Sequence, residues 1–483
     1  MGLLRLTSSV NKQNLFPTLQ NIVVGLHSQS SLAAKQDQRS TQTGRSAAPR
    51  LNEETSHDAL LRSVEKISLA PGSQRAAGKV SSGKLFLPEV DILRGTCKDL
   101  NAGTDRTLIH TPSTKFSEAQ TVQTKASCSP KSHIVFLKTH KTASSSILNI
   151  LYRYGESRNL TFALPVSKRS QLFYPYFFAA HFVEGVSSGR VTHFHIMCNH
   201  MRFRKSEVAR VMPQDTFYFS ILRHPVAMME SIFVYYKSIP AFRKTRSLDD
   251  FLDNIRENYH SSVSNNHYAH NVLAFDFGLE NNMADKDEDL DERATSAIAA
   301  IEQDFHLVLI SDHFEESIIL LKHALCWSLE DVVSFRLNSR SQQARYQLSP
   351  KTAEKILKWN ALDWRIYLHF NATFWNKVDS LVGRENMKQE VSQLRLLQTK
   401  LANTCLKDGG AVHPSRVKDS GLKPFQYGAA VIQGYNLNPN LDRQTKTKCQ
   451  RLITPELQYT NHLYMQQFPE LAARLTQKPK RRA

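Results

Sequence analysis

The sequence of 483 residues lacks several patterns that would place it in common protein classes. No apolar run approaches the roughly 20 residues that a helix needs to cross a bilayer, so no membrane-spanning helix is predicted. The best N-terminal candidate, residues 15–26, is short and is interrupted by Pro17. The RNP, KH and zinc-finger signatures of nucleic-acid-binding proteins are also absent.

Cysteine is sparse and widely spaced. No CxxC pair occurs, so neither a zinc ribbon nor a thioredoxin motif is supported. An even number of cysteines leaves the presence and pairing of disulfides open. The six cysteines are Cys97, Cys128, Cys198, Cys326, Cys405 and Cys449.

Acidic residues are in deficit, since 62 Lys and Arg stand against 44 Asp and Glu, a formal net charge of +18. A chain this basic attracts nucleic acid, lipid head groups or nucleotide phosphates. Residues 406–483 hold 13 of the basic and 5 of the acidic side chains. Lys478 to Arg482 form a solvated tail or, alternatively, bind a partner. A basic nucleic-acid-binding protein therefore remains as an alternative, supported by charge alone.

Three regions follow from the pattern of residues along the chain. Residues 1–130 are rich in Ser, Thr, Gln and Ala with little hydrophobic periodicity, and we predict a mostly disordered stem or leader. Residues 131–405 alternate apolar runs with helical patterns. Residues 406–483 are predicted to be a basic, loop-rich C-terminal extension of the same domain.

The middle region predicts an α/β fold with a mainly parallel sheet. Strands are predicted at 133–137, 191–197, 216–222 and 306–310, and helices at about 145–151, 226–237 and 314–326. After residue 348 the chain is predicted to be mainly helical. Ser349-Pro350 indicates a helix start, and a long helix is expected over 372–401 with a break at Gly383.

The loop after the first strand carries polar groups suited to an anion. A helix N-terminus with Lys and hydroxyl side chains binds phosphate well, although a plain Ser/Thr helix cap is the alternative. Both glycines of GxxxxGK[ST] are missing, which argues against a kinase or ATPase. The candidate anion-binding residues are Lys138, Lys141, Thr142, Ala143, Ser144, Ser145 and Ser146.

A second anion-binding segment follows the strand at 216–222. Arg223 leaves the carboxyl end of that strand, where ligands of open α/β sheets bind. Ser231 lies on the second turn of the following helix and can face the same crevice. The alternative is an exposed Arg and an ordinary helical Ser.

Taken together, these segments resemble the two signatures of sulfotransferases that use 3′-phosphoadenosine 5′-phosphosulfate. The stretches 136–145, 199–203 and 217–231 are similar to those of galactose-3-O-sulfotransferases, the group that contains cerebroside sulfotransferase. The resemblance covers roughly 131–405. It implies a P-loop-like three-layer sulfotransferase domain, in which the first signature binds the 5′-phosphosulfate and Arg223 with Ser231 binds the 3′-phosphate.

The resemblance also implies the reaction. A sulfuryl group would pass from the donor to the 3-hydroxyl of a terminal galactose on a glycolipid or glycoprotein, with Lys141 stabilising the leaving phosphate and no metal required. Family members are Golgi membrane proteins with lumenal catalytic domains, which predicts membrane association and no nucleic-acid partner. A catalytically inactive member acting as a binding module is an alternative, against which Lys141, Arg223 and Ser231 argue.

The sugar hydroxyl must lose a proton, and His is the expected base because its unperturbed pKa of about 6.5 suits neutral pH. His140, inside the first signature, and His200, in Asn-His-Met-Arg-Phe, are the candidates, with His195 third. Two sequons, at Asn159 and Asn371, are weak predictions of glycosylation because the tripeptide is common by chance.

Overall fold

The computed structural model describes residues 128–282 and 287–476, so nearly all of the predicted stem and the final basic residues lie outside the described residues. A parallel sheet of four strands, in the order β2-β1-β3-β4, lies at the centre. The strands are β1 Ile134–Leu137, β2 Ile196–Met197, β3 Phe217–Leu222 and β4 Leu307–Ile310. Their residues are almost all buried, as expected when both faces of a parallel sheet are covered.

Helices surround this sheet. The amino-terminal helices are α1 Ser144–Ser157, α2 Lys205–Val208, α3 Pro225–Tyr235, α4 Pro240–Arg243, α5 Leu248–Asp253, α6 Ile255–Asn258, α7 Val272–Asp276 and α8 Asp287–Asp304. The later helices are α9 Phe314–Leu325, α10 Leu329–Val332, α11 Pro350–Trp359, α12 Ala361–Leu381, α13 Arg384–Cys405, α14 Arg443–Ile453, α15 Glu456–Gln467 and α16 Pro469–Thr476. The predicted α/β class with a central parallel sheet is confirmed.

Several predicted elements are confirmed to within a few residues. Strands β1, β3 and β4 are each followed by a helix, as expected. Ser349 caps α11 by accepting a hydrogen bond from Thr352 N at 3.1 Å, with Pro350 at the first helical position. The break at Gly383 is also present: its φ of 82° lies in a region that other residues rarely adopt, and it separates α12 from α13.

Two predicted boundaries are wrong. The strand expected at 191–197 is only Ile196–Met197, because these are the two residues in register with β1, whereas Phe194 N donates to Val211 O instead. The helix expected from residue 372 begins earlier, at Ala361. Residues 406–442 consist of loops and short turns, whereas helices α14 to α16 follow them within the region 406–483 that was predicted to be loop-rich.

Two disulfides connect segments that are distant in sequence. Cys128 pairs with Cys326 at the end of α9, and Cys405 pairs with Cys449 in α14. Cys198 is a buried free thiol. The second disulfide links α13 to the C-terminal helices, so the region after residue 405 is covalently attached to the core.

Within the described ranges, no helix combines the length and the apolar character that crossing a membrane requires.

Candidate active site

The loop between β1 and α1 is shaped by two residues with left-handed backbone conformations, Lys141 (φ 60°) and Ala143 (φ 62°). Thr139 Oγ1 donates to Ile221 O of β3, and Ser144 Oγ donates to Thr139 O at 2.7 Å. These bonds fix the loop at the carboxyl edge of the sheet, where α1 begins. We call residues 138–146 the donor loop.

Lys138 is a buried cation at the start of the donor loop. Its Nζ lies 2.8 Å from His200 Nε2 and 3.2 Å from Glu456 Oε2. Glu456 Oε2 also accepts a hydrogen bond from Ser145 Oγ at 2.9 Å. The first residue of α15 therefore places a carboxylate among groups that were predicted to bind an anion.

His200 is held in one tautomer. Its Nδ1 lies 2.8 Å from Lys138 O, and because a carbonyl only accepts, Nδ1 carries the hydrogen. The Nε2 lone pair therefore faces the Lys138 ammonium. Burial, and then the neighbouring His140 and Lys138, hold the pKa of His200 well below its ordinary value, so Nε2 is unprotonated at neutral pH.

His140 packs parallel to His200, with 4.0 Å between the ring centroids. Its Nδ1 lies 3.0 Å from both carboxylate oxygens of Asp276, and its backbone N–H donates to Asp276 Oδ2 at 2.8 Å. Tyr174 OH donates to the same carboxylate at 2.8 Å. Among the described residues, His140 Nε2 is buried and has no hydrogen-bond partner.

Lys141 lies in a strongly positive environment. Its Nζ sits 3.7 Å from the centroid of the Tyr235 ring, a cation–π contact. Burial, followed by repulsion from Lys138, Arg223 and Arg340, lowers the pKa of Lys141 to about 7. A phosphate or sulfate beside this ammonium would relieve the repulsion, so the site favours an anion.

The second predicted segment lies against the first. Arg223 Nη1 donates to Lys141 O at 3.0 Å, and β1 and β3 are neighbouring strands. Ser231 is buried on α3, which begins at Pro225. Burial lowers the pKa of the Arg223 guanidinium, and Asp312 opposes that shift.

The structure therefore brings the donor loop, His200, Arg223 and α3 to one edge of the sheet. His195 lies elsewhere. It precedes β2, whereas His200 follows it, and its Nδ1 is 2.8 Å from Thr161 Oγ1. His195 thus belongs to the amino edge of the sheet, away from the other two histidines.

Sequence reasoning missed Asp276, Glu456 and the pair formed by Glu230 and Arg340. Glu230 is buried on α3, and its Oε2 lies 2.5 Å from Arg340 Nη2. Glu230 lies within the stretch 217–231 that the sequence singles out, whereas Asp276, Arg340 and Glu456 lie outside every such stretch. The signal that was available for Glu456 is its place after Pro455, a typical helix start with an acidic first turn.

The two predicted glycosylation sites lie in different environments. Asn159 is exposed in a turn after α1, whereas Asn371 lies within α12 and its Oδ1 is buried. Both remain predictions of glycosylation. Among residues 128–282 and 287–476, no group of three or more His, Cys, Asp or Glu side chains is arranged to hold a metal ion.

Comparison with known proteins identifies the family. A sequence model described as galactose-3-O-sulfotransferase matches residues 95–467. Galactose-3-O-sulfotransferase 2 of Homo sapiens is 50% identical over 344 residues, covering 71% of this chain and 85% of that protein. Galactosylceramide sulfotransferase of Bos taurus is 40% identical over 337 residues, covering 69% of this chain and 78% of that protein.

A more distant relative, galactose-3-O-sulfotransferase 4 of Homo sapiens, is 36% identical over 413 residues, covering 71% of this chain and 84% of that protein. The matched region includes the donor loop, Arg223 and Glu456. The chain belongs to the galactose-3-O-sulfotransferase family and is a sulfotransferase.

Proposed function

We propose that this protein transfers a sulfuryl group from 3′-phosphoadenosine 5′-phosphosulfate to the 3-hydroxyl of a terminal galactose on a glycolipid or glycoprotein. The observation that carries the proposal is the direct contact between the two anion-binding segments, Arg223 Nη1 to Lys141 O at 3.0 Å. That contact puts the two segments predicted to bind phosphate next to each other. A donor with a phosphosulfate at one end and a 3′-phosphate at the other needs both.

The donor loop binds the phosphosulfate in this proposal. Lys138, Lys141, Thr142, Ala143, Ser144, Ser145 and Ser146 supply charge, hydroxyls and the start of α1. Arg223 and Ser231 bind the 3′-phosphate. The proposal requires no metal ion, since Lys and Arg side chains can neutralise the phosphates directly.

Sulfuryl transfer resembles phosphoryl transfer, so positioning and electrostatics supply most of the catalysis. The galactose O3 attacks sulfur in line, a new S–O bond forms, and the bond between sulfur and the phosphate oxygen breaks. Lys141 stabilises the negative charge that develops on that leaving phosphate. The proton of the sugar hydroxyl passes to a histidine.

We assign His200 as the base. Its Nδ1–H is engaged by Lys138 O, so Nε2 is the nitrogen that can accept the proton. Nε2 accepts a hydrogen bond from the Lys138 ammonium, which also pairs with Glu456. In this proposal the ammonium turns to the donor oxygens when the donor binds, and Nε2 becomes available to the sugar hydroxyl. His140 is the alternative; Asp276 engages its Nδ1, and its Nε2 is enclosed.

The acceptor and location are inferred from relatives. Several are named galactose-3-O-sulfotransferases, and others galactosylceramide sulfotransferases, which favours a terminal galactoside and includes a sphingolipid among the candidates. Two disulfides fit an oxidising compartment. We therefore propose the lumen of the Golgi apparatus, with membrane association as in the family.

The direct test is a radiolabelled-donor assay against a panel that includes galactosylceramide, lactosylceramide and a glycan with terminal β-galactose, followed by determination of the sulfated position. We expect label at the galactose 3-hydroxyl of at least one acceptor. Label at another position would overturn the regiochemistry. Binding of the donor product without transfer to any galactoside would favour the inactive-member alternative.

Nucleic acid serves as the comparison ligand. If the positively charged side chains of the site bind the nucleotide donor, duplex DNA and RNA should bind the protein only weakly and with steep salt dependence. Tight binding that persists at high salt would favour the nucleic-acid alternative.

A further inference from the structure

A segment that no motif marks contacts both halves of the donor site. Residues 335–346, here called the bridging segment, run from the end of α10 toward α11. They contain three arginines, Arg336, Arg340 and Arg345, and no Asp or Glu.

One end of the bridging segment is bonded to the start of α1. Ser146 Oγ donates to Phe335 O at 3.2 Å and accepts from Leu337 N at 3.2 Å. Asn338 Nδ2 donates to Ser145 Oγ at 3.3 Å. Two hydroxyls of the donor loop are therefore fixed by this segment.

The other end is bonded to α3, beside Ser231. Arg340 Nη2 lies 2.5 Å from Glu230 Oε2, and both side chains are largely buried. Tyr346 N donates to Glu230 Oε1 at 3.2 Å. A buried carboxylate with an arginine and a backbone N–H as partners holds this end in place.

The C-terminal region also forms hydrogen bonds with the bridging segment. Gln433 N donates to Ser339 O, and Tyr435 OH donates to Arg336 O, each at 2.9 Å. These contacts explain how a segment of irregular structure can present side chains in a fixed place.

Of the three arginines, Arg340 is neutralised by Glu230. Within the part of the chain that the structure describes, Arg336 and Arg345 form no ion pair with a carboxylate. Arg345 is exposed and directly precedes Tyr346, whose backbone N–H is bonded to Glu230 beside Ser231. An unneutralised, accessible arginine next to a predicted phosphate site is suited to bidentate recognition of phosphate.

We propose that the bridging segment is a third donor-binding element, in which Arg345 joins Arg223 and Ser231 in binding the 3′-phosphate. Glu230 acts through Arg340 and Tyr346 N as a positioning residue for this element. The inference rests on the proposed function, because it assumes a donor that carries a 3′-phosphate.

The test compares Arg345→Gln with the unaltered protein by calorimetry, using adenosine 3′,5′-bisphosphate and 5′-AMP as the probes. Arg256→Gln on α6 is the matched control, since it removes the same charge from an exposed arginine outside the site. We expect Arg345→Gln to weaken bisphosphate binding about tenfold, the usual scale for one charged hydrogen bond. Binding of 5′-AMP should change less than twofold, and the control should match the unaltered protein for both.

Turnover gives a second readout. Because the contact is made equally before and during transfer, Arg345→Gln should raise the KM for the donor while leaving kcat unchanged. Unaltered bisphosphate affinity in Arg345→Gln, or equal weakening of both nucleotides, would overturn the assignment to the 3′-phosphate. If the unaltered protein itself fails to bind the bisphosphate, the proposed function fails instead.

Discussion

The two sides of the donor site are built in different ways. On one side, the donor loop and Arg223 continue directly from β1 and β3, so the hydrogen-bonded sheet fixes their backbones. On the other side, the bridging segment and Glu456 come from the second half of the chain and are held by side-chain contacts and short backbone bonds. The first side contributes mostly cations, and the second contributes both arginines and carboxylates.

This difference suggests that the two sides have different roles in the reaction. Groups on the sheet side contact the reacting atoms in our proposal, and they are positioned by the hydrogen-bonded strands β1 and β3. Groups on the other side alter the net charge of the site and hold the side chains of the sheet side in position. We therefore expect substitutions on the sheet side to have larger effects on turnover than substitutions on the opposite side.

The largest effect is expected for His200→Ala. A general base contributes about 10²–10⁴-fold, so transfer should fall by that amount while donor affinity stays nearly intact. His140→Ala should change both donor affinity and turnover, since His140 lies inside the donor loop. Steady-state rates and calorimetry with adenosine 3′,5′-bisphosphate separate the two variants.

Retention of more than about a tenth of the original rate by His200→Ala, well short of a base's usual contribution, would make His200 structural. The role of base would then pass to His140, whose Nδ1 is already held by Asp276.

Lys141→Ala should lower kcat about 10²–10³-fold, the usual scale for removing one contact to developing transition-state charge. The exposed Lys358 on α11 supplies a charge-matched control, and Lys358→Ala should behave as the unaltered protein. Near-normal turnover in a folded Lys141→Ala protein would remove this lysine from the mechanism.

A smaller, pH-dependent effect follows from the lowered pKa of Lys141, about 7. Below that pH the side chain is charged and attracts the donor; above it the free protein loses that charge. Affinity for adenosine 3′,5′-bisphosphate should therefore fall by up to about tenfold per pH unit above pH 7, with proton uptake on binding. Calorimetry at pH 8 in two buffers of different ionisation enthalpy measures that uptake.

Affinity that is constant from pH 6 to pH 9, without proton uptake, would show that Lys141 stays charged throughout.

The rate of transfer should begin to fall only at a pH below the ordinary titration range of histidine, because the pKa of His200 is lowered.

The smallest effect is expected on the opposite side of the site, for Glu456→Gln. The carboxylate competes with an anionic donor for Lys138 and Ser145, so its neutralisation should tighten bisphosphate binding by about three- to tenfold, a modest change for a partly exposed charge. Glu470→Gln on α16 is the control. Weaker binding by Glu456→Gln would show instead that the carboxylate organises Lys138 for the donor.

The sequence predicts the main residues on the sheet side of the site but few of those on the opposite side. Apolar strands followed by polar loops are local patterns, so β1, β3, Lys141 and Arg223 could be predicted and placed at one edge. Asp276 and Glu456 are isolated acidic residues, and Glu456 lies 311 residues after the Ser145 that it contacts. Such contacts depend on how distant helices pack, which no local pattern encodes.

The same limit explains the errors in the fold. The strand expected at 191–197 has suitable β-forming residues, but pairing at a sheet edge also requires a neighbour in register, and only Ile196 and Met197 have one. The break at Gly383 was predictable because it depends on one residue's backbone conformation.

The central claim is that the two segments form one site for a nucleotide with phosphates at both the 5′ and 3′ positions. Its most direct test is the ratio of affinities for adenosine 3′,5′-bisphosphate and 5′-AMP, measured by calorimetry for the unaltered protein, Arg223→Ala and Ser231→Ala. We predict a ratio well above one for the unaltered protein, which falls toward one in both variants because 5′-AMP binding changes little. Equal losses for the two nucleotides, or a ratio near one in the unaltered protein, would contradict the account.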